Sequence, residues 1–174
     1  MSIVPPTADA ADLAPLLEPE RPEDSRRVDA IIEHAFGPGR LVKTAERLRE
    51  HNTPLLDLSL VAWAGDEAVG CCRMWPVHIG ETPAVLLGPF AVEDAWRSRG
   101  LGAQLIEAAC AAAGQAGHRI VILVGDEPYF RKLGFEQVPA GAAVLPGPVN
   151  ARRLLWRALK PGALEGVRGD VRPG

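Results

Sequence analysis

The chain is 174 residues long, 47% apolar and 24% charged, with 19 basic against 22 acidic residues and a formal net charge of −3. At roughly 100–200 residues per domain, residues 1–174 form a single domain able to bury a core, which excludes wholesale disorder. Near-neutral charge argues against a nucleic-acid partner, and apolar runs such as 84–87 and 120–124 fall far short of the ~20 residues a membrane helix needs.

The opening Met1-Ser2-Ile3-Val4-Pro5-Pro6 lacks the basic start and apolar stretch of a secretory signal, so a cytoplasmic location is expected. The three cysteines, Cys71, Cys72 and Cys110, are odd in number and have no framework spacing, which fits a reducing compartment. Adjacent Cys71 and Cys72 would point to opposite faces of a strand, and all three read as packing residues. The histidines are scattered, with no H-x-x-x-H or C-x-x-C spacing, so no metal is expected.

Residues 1–23, rich in Pro, Ala and acid, read as a loosely ordered lead-in. From Asp24, the three- and four-residue spacing of Val28, Ile31, Ile32 and Ala35 predicts a helix, capped by Asp24 or Ser25 and ended by Gly37-Pro38-Gly39. A second helix is expected over 40–51, with Leu41, Ala45 and Leu48 inward, broken by Asn52-Thr53-Pro54. Alternation over 55–64, with Leu56, Leu58, Leu60 and Ala62 in one parity, predicts a strand. Gly65-Asp66 is a hairpin turn, 69–79 a second strand, and Glu81-Thr82-Pro83 the next turn. Residues 84–92 form a third strand, interrupted at Gly88-Pro89, where a missing N–H predicts a bulge.

The grammar then changes. A helix is expected over 100–116, with Leu101, Leu105, Ile106, Ala109 and Ala113 inward. A wholly apolar strand over 120–124 follows, as expected of a strand buried on both faces. Pro128 opens a short helix that Gly134 closes, and 135–138 reads as a strand. Residues 139–174 hold a turn-rich stretch, a last strand over 153–159 and a Pro/Gly-rich tail. The fold class is mixed α+β: an antiparallel meander extended by a βαβ unit, one central mixed sheet flanked by helices.

The most informative stretch is Arg97-Ser98-Arg99-Gly100-Leu101-Gly102, between a strand and a helix. Glycines there let the backbone approach a ligand, and the unpaired N–H groups and dipole of the helix start suit a phosphate. A mononucleotide P-loop needs Gly-Lys, which the chain lacks. A Rossmann fingerprint needs a third glycine where Leu105 stands. There remain an R-x-x-G-x-G pyrophosphate loop and a plain glycine-rich turn that starts a helix.

Residues 86–135 resemble the GNAT superfamily of acyl-CoA-dependent N-acyltransferases. The matching elements are Gly88-Pro89-Phe90-Ala91-Val92, the loop from Trp96 to Gly102, Gly125-Asp126, and Tyr129-Phe130-Arg131-Lys132-Leu133-Gly134-Phe135. Together with Pro161-Gly162-Ala163-Leu164, they look like a bacterial branch of predicted acetyltransferases of undefined substrate. The resemblance implies a coenzyme-binding core over 84–135 and acetyl-CoA as acyl donor, with direct transfer to a primary amine that needs no metal. The pyrophosphate would lie on Arg97, Ser98, Arg99, Gly100, Leu101, Gly102 and Ala103, and the pantetheine arm along Phe90, Ala91 and Val92. Residues 84–92 and 120–124 would have to splay apart. Phe130 stands where the family commonly has a tyrosine acid, so Phe130 would pack on the coenzyme and the neighbouring Tyr129 becomes the candidate acid. Asp126 is a candidate base, with helix capping as its other reading; Glu81 and His78 are further candidates. Trp75 could wall an acceptor pocket or simply pack. The partners expected are a coenzyme A thioester and an amine acceptor, with a homodimer left open. The alternative is a catalytically weak or inactive coenzyme-A-binding sensor or interaction module.

Overall fold

The structure is a computed structural model and describes residues 14–174. The first described element is a strand, β1 (Leu16–Pro19), paired antiparallel with β2 (Leu60–Ala64) at the sheet edge. The expected loose lead-in is thus corrected from residue 14 onward; its first 13 residues lie outside the described ones. Charge pairing explains the order. Arg73 holds the buried carboxylate of Glu20 along one edge of its guanidinium, Nε to Oε2 at 3.0 Å and Nη2 to Oε1 at 2.7 Å, and reaches Asp29 with Nη1. Buried Asp24 accepts hydrogen bonds from the backbone and side chain of Arg21 instead of capping the next helix. Glu20 and Asp29 are thus tied down by an arginine distant in sequence, and Asp24 by its near neighbour Arg21.

Helix α1 (Ser25–Phe36) buries Val28, Ile31 and Ile32 and ends at Gly37, whose φ of +64° suits glycine. The second helix expected over 40–51 is replaced by two short 3-10 segments, Pro38–Val42 and Thr44–Leu48. Only Leu48 anchors them in the core, while Leu41 and Val42 are exposed, so no apolar stripe holds a longer helix together. The expected strand over 55–64 shortens to β2, yet Leu58, Leu60 and Ala62 keep their common face.

β2, β3 (Glu67–Ile79) and β4 (Thr82–Val92) form the expected antiparallel meander. Helix α2 (Leu101–Gln115) then crosses to β5 (Ile120–Val124), which lies parallel to β4. The rest is α3 (Glu127–Arg131), β6 (Glu136–Gln137), β7 (Ala143–Val144), β8 (Leu154–Ala158) and β9 (Gly169–Pro173). The sheet runs β1-β2-β3-β4-β5-β8-β6, with β9 paired to the far half of β3 and to β7. The Pro/Gly-rich tail therefore returns as a strand, a correction that the strand's single buried apolar residue, Val171, did not advertise.

Helix α2 covers one sheet face, burying Leu101, Leu105, Ile106, Ala109 and Ala113 as expected. Helix α1 and the C-terminal segment cover the other. Cys71 packs on the α1 side and Cys72 on the α2 side. Register positions the site. Leu87 opposes Met74 and Phe90 opposes Cys72, so Gly88 and Pro89 together face the one residue Arg73. This is the expected bulge, and it shifts the side-chain alternation of β4 by one residue. Val85 and Leu87 pack toward α2 before it, Phe90 and Val92 after it.

Candidate active site

β4 and β5 pair only at Val85–Val121 and Leu86–Ile122. Beyond this they part, so the predicted splay is present, and it opens where the Gly88-Pro89 bulge begins. The carbonyl of Gly88 accepts a hydrogen bond of 2.7 Å from the indole N–H of buried Trp75. That indole holds the bulge; it does not wall a pocket. Two cavities flank the opening, and Phe36 and Phe90 line both.

The first cavity, about 360 Å³, lies against the glycine loop. Of the residues predicted for the coenzyme, Phe90, Ala91, Val92, Arg97, Ser98, Gly100, Gly102 and Ala103 line it. Arg99 and Leu101 do not: the Arg99 guanidinium lies over the Trp96 ring at 5.0 Å, and the Leu101 side chain is buried in the core. Both belong to the loop through their backbone. Ser98 and Gly100 adopt φ of +61° and +79°, the tight turn that starts α2. Gly100 brings no side chain to cap the first-turn N–H groups of that helix, which have no partner within it. A Cβ on Gly102 would stand 2.8 Å from Tyr129 Oη and 2.9 Å from Phe90 Cζ. Glycine is what leaves room there.

Phe90, Tyr129, Phe130 and Phe135 form one aromatic cluster, with neighbouring centroids 5.1–6.5 Å apart. The order within it differs from expectation. Tyr129, half-exposed, faces the loop-side cavity, and burial raises its phenol above the ordinary value. Phe130 is buried and lines the opposite cavity, away from the glycine loop. A Cβ on Gly125 would collide with the Phe130 ring, which is how Gly125 admits α3 so close to β5.

The second cavity, about 490 Å³, lies under the two 3-10 segments and the stretch around Pro148. Asp126 lines it, exposed; it stands at the N-cap position of α3, yet its side chain makes no capping hydrogen bond. Glu81 and His78 line neither cavity: Glu81 is fully exposed and near Arg172, and His78 lies on β3. The sequence reading missed four cations here, Arg40, Lys43, Arg49 and Arg153. Three of them stand at 40, 43 and 49, in the segment read as a helix facing inward with its leucines. All three cysteines are buried, with the thiols of Cys71 and Cys110 pushed up to about 12 and about 11, and none lines a cavity. Among the described residues no cluster of three or more His, Cys, Asp or Glu could hold a metal, and no helix is long and apolar enough to cross a membrane.

Residues 57–137 match the model of an acetyltransferase (GNAT) domain. Over that span the chain is similar to a GNAT domain. Its matched span runs from the turn before β2 to β6 and holds the splay, the glycine loop and α3. The chain is 28% identical over 159 residues, 90% of its length and 94% of the relative's, to an uncharacterized N-acetyltransferase, YhbS, of Escherichia coli K12. The crystal structure of Escherichia coli YhbS in complex with CoA superposes with a TM-score of 0.79 at 27% identity, covering 94% of this chain and 92% of that one. A GNAT family acetyltransferase from Brucella melitensis, in complex with acetyl-CoA, gives 0.70 at 27% identity over 92% and 96%. The enzyme class of the GNAT domain is acyltransferase, and its fold is the mixed α+β sheet read from the sequence.

Proposed function

We propose that this chain binds acetyl-CoA in the opening between β4 and β5 and transfers the acetyl group directly to a primary amine. The observation that carries the reading is the splay itself, with an uncapped helix start on one side of Phe90 and a charged chamber on the other. The two CoA-bound relatives of similar fold support the choice of coenzyme. The coenzyme's pyrophosphate would take the N–H groups of residues 99–103, as helix starts favour anions. Its pantetheine arm would add to the free edge of Phe90, Ala91 and Val92 as a strand adds to a sheet. In this reading residues 1–174 act as one domain around the core 84–135, and the protein works in the cytoplasm.

The chemistry divides between the cavities. The amine loses its ammonium proton to Asp126, which no capping bond engages. Its nitrogen attacks the thioester carbonyl carbon, the C–S bond breaks as the thiolate leaves toward Tyr129, and the surplus proton on the new amide nitrogen passes to solvent, from which the Tyr129 phenolate is reprotonated. With its phenol raised by burial, Tyr129 stays protonated at neutral pH and can supply a proton to the sulfur. Direct transfer is favoured over an acyl-enzyme because no cysteine reaches a cavity and the high thiol values of Cys71 and Cys110 keep thiolate scarce. The test is calorimetric titration with acetyl-CoA, then thiol release across an amine panel at varied concentrations of both substrates. Intersecting reciprocal plots support direct transfer; parallel plots contradict it. Binding without release for any amine would favour the coenzyme sensor.

A further inference from the structure

The second cavity has an unbalanced charge. Arg40, Lys43, Arg49 and Arg153 line it against one carboxylate, Asp126. Arg153 spends its Nε on the carbonyl of Gly125 at 3.3 Å. Arg40 and Arg49 share Glu46: Arg49 Nη1 donates to it at 3.0 Å, and Arg40 Nη1 stands 3.7 Å from its other oxygen, while Arg40 Nε lies 3.8 Å from Glu33. The Nε of both arginines is buried with no hydrogen-bond partner among the described residues. Burial pushes the Arg49 guanidinium below its ordinary value, though an arginine remains charged at any physiological pH.

Arg49 is the better placed of the two. Its Nη2 lies 3.1 Å from where a Cβ of Gly88 would stand, so its guanidinium is held against the bulge at which β4 and β5 part. Nη1 is taken by Glu46, which leaves the edge formed by Nε and Nη2. That same edge of Arg73 grips the Glu20 carboxylate elsewhere in this molecule. Its Nε is closed to solvent, so an anion in the cavity meets this edge at Nη2 with a charge-assisted hydrogen bond, and gains a second, parallel one where the side chain turns its Nε outward.

We infer that the acceptor amine carries its own anion, a carboxylate or phosphate, and that Arg49, with Arg40 beside it, binds this group and fixes the amine at the thioester. This specificity rests on the acetyltransferase reading above. The amine end would point toward Asp126 and the anion toward Arg49, which orients the acceptor across the cavity and disfavours polyamines and unmodified lysine side chains. The shape of the cavity does not distinguish carboxylate from phosphate, since both fit the guanidinium fork.

The experiment compares matched acceptors: α-amino acids against their amides, and phosphoethanolamine against ethanolamine, with acetyl-CoA as donor. The wild type is expected to favour one anionic set over its neutral partner by about ten- to a hundredfold in kcat/KM, the range for a hydrogen bond to a charged group. Arg49→Gln should erase that ratio through KM while leaving the CoA Kd unchanged, and Arg49→Lys should restore part of it. A readout free of turnover accompanies this: at matched ionic strength, succinate or phosphate should raise the melting temperature of the CoA-loaded wild type and not of Arg49→Gln. Equal losses on anionic and neutral amines overturn the proposal, as does an anion shift that survives Arg49→Gln or is missing from the wild type. Faster turnover of succinyl-CoA than acetyl-CoA, lost in Arg49→Gln, assigns the anion to the donor and also overturns it. Failure to bind CoA at all would instead count against the function proposed above.

Discussion

Gly102→Ala tests coenzyme binding and folding by separate readouts. The added Cβ would stand 2.8 Å from Tyr129 Oη and 2.9 Å from Phe90 Cζ, closer than such atoms tolerate. Both neighbours must shift, an overpacking of about 1–3 kcal/mol. Alanine in place of glycine in a helix returns up to about 1 kcal/mol, less in the first turn. The net loss of stability is thus about 3 kcal/mol at most, or roughly 6–12 °C in melting temperature for a chain of this size. For the coenzyme the methyl also sits where phosphate must approach the backbone. Losing one charge-assisted hydrogen bond of about 1.5–3 kcal/mol weakens binding roughly 10- to 150-fold. Calorimetric titration with CoA, paired with thermal melts, reads both. Gly65→Asn, in the turn between β2 and β3 and outside both cavities, is the control: nothing stands within 4 Å of a Cβ there, and asparagine accepts its φ of +60°. An unchanged Kd in a folded Gly102→Ala would refute the placement of the pyrophosphate on this helix start.

Other outcomes follow from single groups. Tyr129→Phe should lower kcat by about 10²-fold or more with the CoA Kd intact, if its hydroxyl protonates the sulfur; a loss under threefold would remove it from the mechanism. Arg73→Met strands the buried Glu20 carboxylate and should cost about 3–5 kcal/mol in urea denaturation, with CoA affinity preserved in the folded fraction; a loss below about 1 kcal/mol contradicts this account of the β1 edge. Burial alone would raise the Asp24 carboxyl, but the hydrogen bonds from Arg21 hold it below its ordinary value. A depressed carboxyl stabilises above its unfolded pKa of about 4 and loses that contribution as pH falls through its folded value, so the advantage of wild type over Asp24→Asn should be full at neutral pH and fade below about pH 4. An advantage unchanged at pH 2 would contradict the hydrogen-bonded carboxylate. The three buried thiols should resist iodoacetamide at pH 8 in the native state and react fully in urea; native labelling would reopen the acyl-enzyme route.

Much of the loop-side cavity was legible because its signals are local. A proline-bearing break in a strand, a glycine loop and an apolar helix stripe each act within a few residues, and α2 and β5 lie within one residue of where their patterns put them. The acceptor side was not legible. Arg49, at the end of the second 3-10 segment, lies against Gly88 of β4, and no spacing along the chain reports that contact. The same holds for Arg73 and Glu20, which convert an acid-rich stretch into a sheet edge. Tyr129 and Phe130 show a finer limit: adjacent residues on a short helix fall on different cavities, and only the packing of Phe130 against Gly125 decides which faces the loop. The Gly/Pro-rich tail failed for a related reason, since β9 is held by backbone pairing to β3 more than by apolar side chains.

The central claim is that one coenzyme lies in the parting of β4 and β5. A crystal structure of the complex with CoA tests it most directly. The account predicts pyrophosphate oxygens within hydrogen-bond distance of the N–H groups of residues 99–103, pantetheine along Phe90–Val92, and the sulfur between Tyr129 and the bulge at Gly88. Coenzyme bound away from that loop, or a pantetheine arm that never enters the opening, would contradict it.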